Sequence, residues 1–276
     1  MPRIALGIEY DGSAYAGWQA QTHANGVQTA VEAAISFVAH HPTKVICAGR
    51  TDTGVHACMQ VVHFDAVVTR DERAWVMGAN TNLAESISVL WAREVPDDFH
   101  ARFGALTRSY RYVILNRKPR PSLLHERVCW MREPLDAERM HIAAQSLVGT
   151  HDFSSYRAAE CQSPTPIRKL QRIQVTRINE YVVIDVMANA FLHHMVRNIA
   201  GVLMAVGRGR QGVNWPAELL QIRDRAQGGV TASASGLYLL AVSYPAQFAV
   251  PSGPNYSVWP PGPVLPEVDL ALPALP

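Results

Sequence analysis

Chemistry is densest in Gly49-Arg50-Thr51-Asp52-Thr53-Gly54-Val55-His56-Ala57, where an apolar run breaks into charge, hydroxyl and glycine. Lys44-Val45-Ile46-Cys47-Ala48 before it reads as a buried strand, and Met59-Gln60-Val61-Val62-His63-Phe64 resumes the extended pattern after it. Asp52 is therefore expected on a short turn between two strands, with Gly49 and Gly54 free to take backbone angles closed to other residues. Arg50 and Asp52 lie two apart, so on an extended backbone both point to one face. A carboxylate on a rigid turn beside a guanidinium stays ionised, the state that a nucleophile or base requires. An Asp in this place equally serves to cap its own turn by accepting from backbone N–H groups, with Arg50 a solvated neighbour. Residue types alone leave both readings open.

Two further stretches carry polar groups in ordered patterns. Ser109-Tyr110-Arg111-Tyr112 lies on a strand, where alternation sends Tyr110 and Tyr112 to one face and Arg111 to the other. From Phe191 to Gly207 a long helix is expected, with Phe191, Met195, Ile199, Val202 and Val206 as its apolar stripe. Arg197 falls away from that stripe, in line with His193 and Gly201 at i, i+4 spacing, and a solvated arginine is the common occupant of such a face. His193 and His194, as neighbours on a helix, point about a quarter-turn apart and lack the i, i+4 pair with intervening Glu of a zinc helix, so no metal site is expected there.

These residues need a frame to hold them. The chain has 276 residues, 48% of them hydrophobic and 17% charged, which is enough to bury one large core or two ordinary ones and excludes a disordered chain. The formal net charge of +2 does not by itself announce a nucleic-acid binder. Arg102, Arg108, Arg111, Arg117, Lys118 and Arg120 nevertheless crowd one segment, and Arg168, Lys169 and Arg172 another, as a phosphate backbone would require. Cys47, Cys58, Cys129 and Cys161 show no close metal spacing and read as reduced thiols. No signal pattern opens the chain and no stretch reaches the roughly 18 apolar residues of a membrane span, so a cytoplasmic protein without membrane contact is expected.

Arg3 to Tyr10 reads as a strand, Asp11 to Asn25 as a long loop, and Gly26 to Val38 as a helix. After the Asp52 turn and the Met59 strand, Thr69 is placed to cap a helix from about Asp71, and Ile87 to Val95 forms another strand. Strand, helix, strand, strand, helix, strand is the order of a split β-α-β, ferredoxin-like unit. The order repeats: strand Ala105 to Asn116, helix Asp136 to Val148, a hairpin turning at Asn179-Glu180, helices from Phe191 and from Pro216 to Ala226, and strand Leu237 to Tyr244. The expected fold is α+β, two ferredoxin-like halves (1–104 and 105–245) whose antiparallel sheets meet around a central cleft near Val95 to Phe103. A proline-rich extended tail occupies 246–276.

The stretch from Gly49 to Ala57 resembles the catalytic motif of the tRNA pseudouridine synthase A family, Gly-Arg-Thr-Asp-x-Gly-Val-His-Ala, at every fixed position. Tyr10 to Gln19, Val95 to Phe103, Ser109 to Tyr112 and Asn189 to Ile199 are similar to further motifs of that family, in family order, and the resemblance spans about residues 3 to 245. It implies the pseudouridine synthase fold and an isomerase that converts uridine to pseudouridine at positions 38, 39 and 40 of the tRNA anticodon stem-loop. By the same resemblance Asp52 is the nucleophile, Arg197 its ionic partner, and Tyr110 the platform that stacks on the flipped uracil and a candidate base for its C5 proton. Arg50 holds phosphate or fills the space that the base leaves, and Leu237 packs beneath the base or in the core. No cofactor is implied, since one glycosidic bond replaces another, and the working unit is a homodimer. A non-catalytic RNA-binding protein on the same scaffold is the alternative; a hydrolase built on Asp52 with His56 and His63 lacks a recognisable nucleophile–base pair. Met59 departs from the family, which commonly has glycine before Gln60, and puts the preference among neighbouring uridines in question.

Overall fold

A computed structural model describes residues 1–21 and 23–253. The first half runs β1 (Arg3–Tyr10), α1 (Val27–Ala39), β2 (Ile46–Cys47), β3 (His56–Asp65), α2 (Glu72–Asn82) and β4 (Ile87–Val95). The second runs β5 (Thr107–Asn116), β6 (Cys129–Met131), α3 (Ala137–Ala144), β7 (Gly149–Asp152), β8 (Ile167–Ile178), β9 (Tyr181–Ala188), α4 (Met195–Gly207), α5 (Trp215–Ile222) and β10 (Leu237–Ser243). Strand order is β4-β1-β3-β10-β5-β9-β8-β7, with β2 on β3 and β6 on β5. In the first half β1 and β3 lie between β4 and β2, and in the second β5 and β9 lie between β10 and β8, the ferredoxin-like arrangement, with β6 and β7 as additions.

The two sheets do not merely meet across a cleft: they form one. The strand expected from Lys44 to Ala48 shrinks to Ile46–Cys47, paired only with Val62 and His63, and this leaves the start of β3 open. β10 takes that edge in parallel, Tyr238 opposite His56 and Leu239 opposite Ala57, while its other side pairs antiparallel with β5. Every residue of β3 from His56 to Phe64 is buried, as a central strand covered on both faces requires.

Several boundaries move for local reasons. Asp71, not Thr69, caps α2, its carboxylate accepting from the Ala74 N–H at 2.6 Å. Asp136 caps α3 as its sequence suggested, through the Arg139 N–H. α4 begins at Met195, because His194 has a left-handed backbone (φ 60°) and His193 and His194 form a turn before it. The tail expected from 246 opens with a short 3-10 turn, Ala246–Phe248, whose Phe248 packs edge-on against Phe99; its residues 254–276 lie outside the described ones.

The segment joining the halves is pinned to β3 by His63. Its Nδ1 accepts from the Ala101 N–H at 3.1 Å, and the ring is packed between Phe99 and His100. Burial, aided by the nearby charges of His100 and Arg3, pushes the pKa of His63 down to about 4. The folded state thus binds this proton more weakly than the unfolded chain, whose ordinary histidine value is about 6.5. Stability is full above about pH 6.5 and declines as pH falls toward about 4, by on the order of 2–3 kcal/mol from this group. Urea unfolding at pH 7 and pH 4.5 should show that decline, and His63→Gln should flatten it; an unchanged pH slope in the variant would remove His63 as the cause.

Candidate active site

Asp52 stands on the turn between β2 and β3, and the preceding loop props it. The Trp18 N–H donates to the Thr51 carbonyl at 3.0 Å, and the Tyr10 hydroxyl lies 2.7 Å from Thr51 Oγ1. Gln60, facing the turn from β3, bonds both backbone groups of Gly49: its Nε2 donates to the carbonyl at 2.6 Å and its Oε1 accepts from the N–H at 3.4 Å. Arg108 reaches the same loop, donating to the Ala48 carbonyl at 3.0 Å. Gly54 has the positive φ foreseen for it, 76°. Gly49 does not; it lies beside the Tyr110 hydroxyl, which a Cβ at that position would meet at 3.9 Å.

The Asp52 carboxylate does not cap its own turn. Its Oδ2 accepts from Arg197 Nη1 at 3.3 Å, and among the described residues the guanidinium paired with it is this one rather than that of Arg50, which is exposed at the cleft rim. Arg197 is held in turn by the segment that crosses α4. Its Nε donates to the Ala232 carbonyl at 2.9 Å and its own carbonyl accepts from the Ala232 N–H at 3.2 Å. The solvated arginine expected on residue types is thus largely enclosed.

Tyr110, on β5, is 8% exposed, with Phe191 edge-on at 5.0 Å between ring centroids. Burial and then the Asp52 charge raise its pKa, so the hydroxyl keeps its proton at neutral pH. Tyr112 is fully buried, its hydroxyl donating to the Ser233 carbonyl at 2.8 Å. Leu237 opens β10 and lines the same cleft. Asp52, Tyr110, Arg197, Arg50 and Leu237 therefore all face one cavity of about 1130 Å³.

Two residues set aside in the sequence join them. Because His193 and His194 precede α4, the quarter-turn geometry does not apply, and the left-handed backbone at His194 turns both rings toward the turn. His193 Nε2 lies 3.2 Å from Asp52 Oδ1 and His194 Nε2 lies 3.3 Å from Oδ2. These three residues are spaced closely enough to hold a cation. Arg197 already places a positive charge on the same carboxylate, however, and such a charge opposes a metal ion. The ion-pair contacts account for the spacing. Burial holds the pKa of His194 below the ordinary histidine value, the Arg197 and His193 charges acting in the same direction and the Asp52 charge against it.

Other expectations shift. Met59 turns away from the cleft, its sulfur accepting from Trp91 Nε1 at 3.2 Å beside Gly7, so its side chain does not narrow the approach to the Asp52 turn. The basic clusters are thinner than their sequence implied. Arg111 is buried in an ion pair with Asp185, Arg108 is bound to four carbonyl oxygens, and Arg168 clamps the Ser163 to Ile167 loop. Arg102, Lys118, Arg120 and Lys169 remain exposed.

A sequence profile described as tRNA pseudouridine synthase matches residues 7–104 and 143–245. The chain is 55% identical over 254 residues to tRNA pseudouridine synthase A of Coxiella burnetii (strain Dugway 5J108-111), covering 92% of this chain and 97% of that protein. The chain belongs to the tRNA pseudouridine synthase family. Proteins of the same name from Enterobacter sp. (strain 638) and Nitrosococcus oceani are each 55% identical, over 91% and 90% of this chain and 93% and 96% of theirs. Membership of this family makes the protein an isomerase. Among the described residues no helix is long and apolar enough to cross a membrane.

The Asp52–Arg197 pair rests on a close approach at Gly201. A Cβ there would lie 1.9 Å from the Val230 carbonyl oxygen, so any side chain must separate α4 from the strap that holds Arg197. Gly201→Ala is expected to destabilise by about 1–3 kcal/mol and to lower turnover by roughly 10²-fold through misplacement of Arg197. Denaturation and single-turnover rates measure the two effects separately; a variant with wild-type turnover would show that the strap does not position Arg197.

Proposed function

We propose that the protein isomerises uridine to pseudouridine in the anticodon stem-loop of tRNA, at positions 38, 39 and 40 of tRNA numbering. The observation that carries this reading is the Asp52–Arg197 pair, one member from each half, set beside Tyr110 in a cleft wide enough for a flipped nucleoside still joined to its strand. Asp52 serves as the nucleophile or base at the ribose, with Arg197 as its ionic partner. The Tyr110 ring forms the surface on which the uracil stacks, a contact worth roughly 1–3 kcal/mol. Leu237 packs beneath the base, and Arg50, exposed at the rim, contacts phosphate or fills the vacated stack. The exchange of one glycosidic bond for another needs no redox change and no added group, so no cofactor takes part.

The same reading places the enzyme in the cytoplasm and makes its working unit a homodimer. Two subunits side by side would extend the exposed charges of Arg102, Lys118, Arg120 and Lys169 into a longer track for a polyanion. The test is incubation with unmodified tRNA transcripts bearing uridine at position 38, 39 or 40, followed by mapping of pseudouridine at single-nucleotide resolution. Conversion at those positions is expected. Conversion elsewhere alone would reassign the target, and tight binding without conversion would favour an RNA-binding protein. Sedimentation of the active species tests the dimer, which an equally active monomer would exclude.

A further inference from the structure

A second cavity, of about 650 Å³, adjoins the Asp52 turn: Thr53 lines both it and the active cleft, and Gly54 lines it alone. Its other walls are the segment from Arg120 to Trp130 and the short turn Ser233 to Ser235 just before β10.

The Arg120 to Trp130 wall is fixed from the sheet by side chains that hold its backbone. His56 Nδ1 accepts from the Gly12 N–H at 3.1 Å, so its Nε2 carries the proton and donates to the Glu126 carbonyl at 3.0 Å. The Tyr238 hydroxyl donates to the Arg127 carbonyl at 2.5 Å and Ser235 Oγ to the Val128 carbonyl at 3.1 Å. Three consecutive carbonyls are thus pinned, and Trp130 is anchored by its own Nε1, which donates to the Arg117 carbonyl at 2.9 Å. The polar groups lining the cavity are largely left out of this network. Arg120, His125, Glu126 and Thr53 are exposed, and among the described residues none of their side chains has a hydrogen bond or ion pair. The Trp130 indole, 40% exposed, lies with Val128 and Ala234 on the apolar side.

A guanidinium, a carboxylate, a hydroxyl and an anchored aromatic ring match the parts of one ribonucleotide. The guanidinium suits phosphate, the carboxylate accepts from ring N–H groups, the hydroxyl bonds a 2′-OH, and the indole offers a stacking face. A lone carboxylate beside a guanidinium does not suit a metal ion. Position indicates which nucleotide. Extruding a base from a stem robs its neighbours of a stacking partner, and a strand whose target base lies beside Asp52 brings an adjoining nucleotide past Thr53.

We propose that this cavity is a second nucleotide site, which holds a nucleotide flanking the target uridine, its base against Trp130 and its phosphate on Arg120. This rests on the reading above that a tRNA uridine enters the active cleft.

The test crosses an abasic scan with a variant. Affinity is measured for tRNA transcripts carrying one abasic nucleotide at each position neighbouring the target, with wild type and Trp130→Ala, alongside single-turnover rates at saturating protein. For wild type, one abasic position is expected to weaken binding by about tenfold, and the others by much less. Trp130→Ala should bind the intact transcript about tenfold more weakly, lose little more at that same abasic position, and keep a rate at saturation close to wild type. Arg120→Ala and Glu126→Gln change exposed side chains without partners, so they serve if the tryptophan variant unfolds. Both should weaken binding of the intact transcript severalfold and be less sensitive than wild type to that abasic position. Losses that simply add at every position, or unchanged affinity in all three variants, would overturn the proposal. So would a free nucleoside monophosphate that binds wild type but not Trp130→Ala while no abasic position couples to the variant, which would assign the cavity to a free nucleotide. Loss of dimer in Trp130→Ala without such coupling would likewise overturn it and make the cavity an interface between copies. Failure of the wild type to convert the intact transcript would refute the functional reading and not this one, which the affinities decide.

Discussion

Asp52→Asn is expected to lower pseudouridine formation by roughly 10⁴-fold or more, the scale seen when a reaction loses its nucleophile. The substitution keeps shape and removes charge. Arg197, His193 and His194 all direct nitrogen atoms at this carboxylate, so the amide would still fill the centre of the cluster while being unable to attack or to remove a proton. Affinity for tRNA should change little, because phosphate contacts on the exposed arginines and lysines carry most of the binding. Single-turnover conversion and a filter-binding titration measure the two effects. A variant within tenfold of the wild-type rate would remove Asp52 from the chemistry, whatever its contacts.

Breaking the Arg111–Asp185 pair should cost the fold about 3–5 kcal/mol, the usual result when one buried charge loses its partner. The two residues lie directly opposite each other on β5 and β9, with nitrogen–oxygen distances of 2.7 and 3.0 Å and exposures of 3% and 5%. A planar guanidinium facing both carboxylate oxygens fixes the register of the two strands, and with it the Tyr110 ring on the opposite face of β5. Arg111→Met or Asp185→Leu alone should therefore lower the denaturation midpoint strongly. The double variant should recover much of the loss, since it leaves no unpaired charge behind. Strictly additive losses would mean that the two side chains do not act as a pair.

The sequence made the elements legible wherever the local pattern decides them. Alternation placed Arg111 opposite Tyr110, and capping chemistry located the start of α3 at Asp136. It misjudged places where a distant segment decides. The start of α4 depends on a left-handed residue, His194, that helical periodicity reads straight through, so the convergence of both histidines on Asp52 was hidden. The arginine clusters looked like a continuous basic surface because spacing along the chain does not reveal that Arg108, Arg111 and Arg168 turn inward to carbonyls and a carboxylate. Gln60 and His63 did leave a trace: a polar amide and an imidazole inside an otherwise apolar strand are buried only when something needs their hydrogen bonds. The Gly49 loop and the Ala101 segment are what needed them.

The seam between β3 and β10 also sets a timetable for synthesis. The Asp52 turn emerges early from the ribosome and Arg197 well after it, but the strand that joins their two sheets is made only at Leu237–Ser243. Until then the start of β3 and one side of β5 each present an open row of backbone donors and acceptors, the kind of edge that pairs with any strand available. A growing chain thus carries Asp52, Tyr110 and Arg197 before the strand that joins their two sheets exists. The single sheet is completed by the last strand, and with it comes protection from pairing with another chain.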